Sequence, residues 1–166
     1  RDEGPVCPAA LPPTGAVGRV SDDAAREARV RELEDRQQIR DLVLRYREEL
    51  DRRDLAAYAA LFAADGTWEG RTGSARTPAG IQAMLEERLA PNPPAPGPTT
   101  THLVTEPRIT VTGDTATGFC LWSLIGRSAA DTPEILLVGH YDDEYVREDG
   151  EWKFARRVAA VDIPQQ

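Results

Sequence analysis

The sequence predicts an α+β fold in which a curved antiparallel sheet wraps around helices. Three observations carry the prediction. A long early stretch places its apolar residues at helical spacing, and two further segments open with helix-capping residues. The later part of the chain runs in extended segments separated by tight turns. Helices first and strands afterwards leave the helices to cover one face of the sheet.

Residues 1–20 are rich in Pro and Gly and show no period, so they read as an extended arm before a single domain over residues 21–166. Ser21 with Asp22 and Asp23 predicts a helix start, where acids suit the positive end of the dipole. That helix runs to about Asp51, with Ile39, Leu42, Val43, Tyr46 and Leu50 as its buried stripe. Asp51 lies about 100° round the helix from Leu50, at the stripe's edge.

Asp54 predicts the cap of a second helix over residues 55–64, with Leu55, Tyr58, Leu61 and Phe62 inward and Asp65-Gly66 as the stop. A short extended piece over residues 67–69 follows. Thr77-Pro78 opens a third helix, with Thr as cap and Pro at the first helical position. Ile81, Met84 and Leu85 are its buried side, and residues 91–98 end it as a loop or polyproline stretch. Strands are predicted over residues 102–112, 115–126, 134–147 and 151–162. Turns at Gly113-Asp114 and Glu148-Asp149-Gly150 make them an antiparallel meander. Pro107 has no N–H for a ladder, so a bulge is expected near Glu106-Pro107.

Length 166 fits one domain, and 40% hydrophobic residues suffice for a core. No run approaches the ~20 apolar residues that span a bilayer. A net charge of −8 disfavours nucleic-acid or anionic-membrane partners. Cys7 in the Pro-rich leader and Cys120 in a core strand are not expected to pair, and no Cys/His spacing suggests zinc. The first residue is Arg, which implies removal of an upstream segment, either a secretory signal or a cloning choice. Cytoplasmic, periplasmic and secreted locations all stay open.

Three stretches carry a family resemblance over about residues 33–162: Tyr46 to Asp54 (YREELDRRD), Leu61 to Gly70 (LFAADGTWEG) and Gly139 to Phe154 (GHYDDEYVREDGEWKF). They resemble the SnoaL-like branch of the nuclear transport factor 2-like superfamily. The resemblance implies a cone-shaped α+β barrel. Within the superfamily the chain is most similar to the scytalone dehydratase and hexachlorocyclohexane dehydrochlorinase enzymes. Their Asp at the end of the first long helix and their His on the first long strand correspond to Asp51 and His102. The dehydrochlorinase also has a Trp at Trp68 and a polar pocket residue at Tyr46. The chain departs from the dehydratase at Gly126, near that enzyme's second catalytic histidine, and at Gly70, near its water-binding tyrosine. A ketosteroid isomerase pattern of one Tyr and two acids is matched less well.

His102 has two readings. Imidazole titrates near about 6.5 and can take a substrate proton, with a carboxylate on its other nitrogen fixing the tautomer. Alternatively, it is a strand-end His satisfied by neighbouring hydroxyls. Asp51 either orients His102 or caps the next turn beside Arg52 and Arg53; an acid is electrostatically unfavourable at a helix C-terminus. Trp68, Trp122 and Tyr141 either line a cavity for a ring-containing ligand or pack the core, where Trp152 and Phe154 are placed. Tyr46 and Tyr141 offer hydroxyls for a developing oxyanion. Arg157 either reaches the cavity or is a surface charge. His140 alternates with Tyr141 on strand three, so it is read as structural, outside the pocket or at a subunit contact. No HxxxH pair, clustered carboxylates or Gly-rich phosphate loop appears, so no metal and no cofactor is expected.

The expectation is a cofactor-independent lyase acting on a small aromatic or cyclic molecule, of dehydratase, deformylase or dehydrohalogenase type. His102 would be the base and Asp51 its partner. The alternatives are an isomerase or cyclase on a polyketide- or steroid-like substrate, and a non-catalytic small-ligand-binding or assembly module. The resemblance implies a homodimer or homotrimer.

Overall fold

The helical stripe and the caps at Asp54 and Thr77 fall where the sequence places them, but the expected start at Ser21 does not. The computed structural model describes residues 16–71, 73–89 and 100–164, with side chains from Asp22 onward. The chain divides into two compact units, residues 1–33 and 34–166. In the first, residues 16–33 are helical, and every side chain from Asp22 to Leu33 is exposed. That helix, α1 (Ala16–Arg52), starts five residues before the expected Ser21. The local capping signal at Ser21 is overridden, and residues 16–20 of the predicted arm are helical. The rest of the arm lies outside the described residues, as does the predicted loop over residues 91–98.

In the second unit α1 buries Ile39, Leu42, Val43 and Tyr46. Asp54 caps α2 (Leu55–Ala59), its carboxylate accepting from the Ala57 N–H at 3.0 Å. This helix stops five residues before the predicted Ala64, because Phe62–Gly70 forms strand β1. Leu61 and Phe62 belong to an apolar run that suits either state, and pairing decides it: the Phe154 N–H donates to the Leu61 carbonyl at 3.0 Å. At Gly66 the chain passes so close that an added Cβ would lie 2.8 Å from the Phe154 carbonyl oxygen. A four-residue strand not foreseen in the sequence, β2 (Gly73–Arg76), forms a hairpin with β1. Helix α3 (Pro78–Leu89) begins as predicted, with Thr77 Oγ1 accepting from the Gly80 N–H at 3.3 Å.

The predicted strand 102–112 is broken. β3 (Thr100–Val104) and β4 (Arg108–Thr112) both pair with β5 (Thr115–Arg127), and residues 105–107 interrupt the ladder at the proline. β6 (Pro133–Glu148) and β7 (Glu151–Ile163) complete the antiparallel meander. The seven-stranded sheet has the order β2-β1-β7-β6-β5-β3, with β4 also on β5. One pairing departs from the all-antiparallel expectation: β1 runs parallel to β7. Register shifts at Leu124/Ile125, Val138/Gly139 and Glu144/Tyr145 are bulges that bend the long strands. The result is the expected α+β class, an open curved sheet with helices against it.

Candidate active site

The last turn of α1 delivers Asp51 to the edge strand β3. Its Oδ1 lies 2.7 Å from His102 Nδ1. Its Oδ2 accepts from the His102 backbone N–H at 3.1 Å and from the Thr101 hydroxyl at 2.9 Å. The capping alternative does not hold, since main-chain bonds close the following turn: Arg53 N–H donates to the Leu50 carbonyl and Asp54 N–H to that of Glu49. Burial alone would raise the Asp51 pKa, but hydrogen bonds from the His102 ring and main chain, electrostatic attraction to His102 and the Thr101 hydroxyl outweigh it. The carboxyl is held below its usual range and stays ionised. An ionised acceptor on Nδ1 favours the tautomer with the proton there and leaves the Nε2 lone pair available.

His102 lies in the wall of a cavity of about 330 Å³. Tyr46, Trp68, Trp122 and Tyr141 line it too, with Leu50, Leu124, Leu137, Ala159, Val161 and Arg71. The surface is mostly apolar. Trp122 stacks on Tyr141 with centroids 5.7 Å apart and planes at 22°, and His102 sits 6.3 Å from Trp122. The Trp122 indole N–H donates to the His140 carbonyl at 3.1 Å, which fixes the ring plane. Trp68 Nε1–H donates to the Tyr46 hydroxyl at 2.9 Å. Burial, then the neighbouring Tyr46, pushes the Tyr141 phenol well above 10.0, so it remains a protonated donor.

The structure thus brings together Asp51, His102, Tyr46, Trp68, Trp122 and Tyr141, and it moves Arg157 elsewhere. Arg157 is wholly buried, so the surface reading is wrong, and it is not part of the cavity wall. Its guanidinium packs 4.0 Å from the ring centres of Tyr46 and Tyr141 and 4.1 Å from that of Phe154. Two short bonds of 2.7 and 2.6 Å tie it to Asp143, which also accepts from the Tyr145 hydroxyl at 2.7 Å. The signal was present in the alternation: Asp143 shares the inward face with Tyr141 and Tyr145, and a buried acid needs a counter-charge. His140 points away from the cavity, paired with Asp162 at 2.9 Å and stacked on Phe119. Trp152 and Phe154 are buried in the core. Arg71 escaped sequence reading because nothing marks a turn arginine as a cavity residue. Among the described residues no cluster of three or more His, Cys, Asp or Glu is arranged to hold a metal ion.

An open curved sheet with helices against it is the fold of the nuclear transport factor 2-like proteins. The sequence matches the SnoaL-like domain family over residues 31–158, and the chain belongs to that family. Its fold is similar to that of a nuclear transport factor 2-like protein with a cystatin-like fold from Novosphingobium aromaticivorans (25% identity, TM-score 0.72, covering 92% of this chain and 94% of that one). It is also similar to LinA (25% identity, TM-score 0.66, 79% and 88% covered). A third similar structure is a candidate scytalone dehydratase from Novosphingobium aromaticivorans DSM 12444 (25% identity, TM-score 0.65, 80% and 87% covered). The sequence has no match among curated proteins.

Proposed function

We propose that the protein is a cofactor-independent lyase acting on a small aromatic or cyclic molecule, with His102 as general base. The observation that carries this reading is the 2.7 Å contact between His102 Nδ1 and Asp51 Oδ1 at the wall of a mostly apolar cavity. His102 Nε2 takes a proton from a substrate carbon. The C–H electron pair forms the new double bond, and the leaving group departs with its own electrons. Asp51 balances the imidazolium and keeps the ring oriented, the supporting half of a triad without a nucleophile. Tyr46 and Tyr141 donate to an oxygen on which negative charge develops. Trp68 and Trp122 hold the ring. Arg157 acts from behind, setting the Tyr46 and Tyr141 rings without touching the ligand.

Similarity to a candidate scytalone dehydratase supports the elimination class. An isomerase or cyclase would use the same base, returning the proton instead of losing a group. Assembly as a homodimer or homotrimer belongs to the same reading, and sedimentation velocity tests it directly. The functional test is a panel of cyclic β-hydroxyketones and halogenated rings, with release of water or halide followed. A His102→Ala protein that eliminates as fast as the unchanged one ends the proposal. Product formation without a released group moves it to the isomerases.

A further inference from the structure

We infer that Arg71 is an anion-recognising residue and that the ligand of this cavity is a small ring compound bearing an ionised carboxylate; the inference rests on the proposed use of the cavity. Arg71 follows directly on β1, is exposed to solvent and lines the cavity. Among the described residues it has no hydrogen-bond or ion-pair partner. The nearby acid Glu69 already faces Arg156, at 3.8 Å.

The other charges at this site are matched. Asp51 is held by His102 and Thr101, and Arg157 is buried against Asp143. The net charge of −8 repels anions at long range, so a carboxylate enters only where a local cation offsets that field. A guanidinium does so with a planar fork that takes a carboxylate by two parallel hydrogen bonds.

The topology adds a constraint. Arg71 and His102 come from the β1 and β3 sides of the sheet, with β7, β6 and β5 between them in the strand order. Anchor and base thus come from different strands of the one cavity wall, and the proposed ring lies beside Trp122 and Tyr141. The substrate class is a cyclic or aryl-substituted acid whose reacting C–H is remote from its carboxylate.

The test is calorimetric binding at about pH 7.5, where carboxylates are ionised. The probes are two pairs of matched shape, phenylacetate with phenylacetamide and phenylpropionate with phenylpropionamide, and in each pair a neutral amide replaces the carboxylate. The unchanged protein should bind the carboxylates about tenfold more tightly than the amides, a preference that weakens with added salt. Arg71→Gln should abolish the preference while leaving amide affinity unchanged, and Arg71→Lys should restore part of it. Equal binding of both members, a preference that survives Arg71→Gln, or no binding of any probe each overturns the inference. The two ideas are read by different variants: Arg71→Gln acts on the carboxylate preference and His102→Ala on turnover. A preference in a protein whose turnover ignores His102 would keep Arg71's role and remove the lyase reading.

Discussion

Asp51 ties the proposed chemistry to the stability of the fold. Its carboxyl pKa is depressed in the folded protein, because the bonds and charge from His102 and the bond from Thr101 outweigh burial. A depressed carboxyl stabilises the fold above the ordinary carboxylate range, about pH 4, and that contribution is lost as pH falls through the lowered folded value. Asp51→Asn should flatten the acid limb of a stability profile measured by urea unfolding, with the largest difference from the unchanged protein near neutrality. On the catalytic side, His102→Ala should reduce turnover by about 10²–10⁴, the usual effect of losing a general base. Asp51→Asn should reduce it as well. The double variant should lose little more than the worse single one, since residues that act as a unit are not additive. Independent, additive losses in a steady-state assay would show that the two residues do not act as a pair.

At the scale of elements, what the sequence revealed depended on how far apart the interacting residues lie. The α1 stripe, the Asp54 cap and the Thr77-Pro78 start are local patterns, and each forms where it is read. The Asp51–His102 contact came from the family resemblance, because no spacing rule joins a helix end to a strand some fifty residues later. The β1–β7 pairing and the four-residue β2 were not readable, since tertiary partners decide whether Phe62 ends a helix or begins a strand. Arg157 was misplaced for the same reason: its partner Asp143 sits directly opposite on β6. Two outcomes follow from the β6–β7 ladder. Asp143→Asn leaves a buried guanidinium without its counter-charge and should cost about 3–5 kcal/mol in denaturant unfolding. Gly139→Ala places a Cβ into the Ala160 carbonyl and 2.6 Å from the Trp122 ring. It should destabilise by about 1–3 kcal/mol and shift the tryptophan emission.

For the whole molecule, the two units differ in what they bury. The described side chains of residues 22–33 are all exposed, while residues 34–166 hold the entire hydrophobic cluster. Removing residues 1–33 should therefore leave a cooperative thermal transition within a few degrees of the intact chain, followed by circular dichroism. A large fall would show that the first unit carries stability of its own. The Asp51 carboxylate has one more consequence at this scale. Among the described residues β3 ends the strand order and pairs with β5 alone, so its outer side is a sheet edge. Asp51 accepts from a main-chain group of this strand, the His102 N–H. A negative charge on an open edge discourages another chain from adding there as a further strand. Asp51→Ala should thus make the protein more prone to aggregate on gentle warming than His102→Ala, even where both are equally inactive, with light scattering as the measure. The acid beside His102 would then also guard the strand edge it borders.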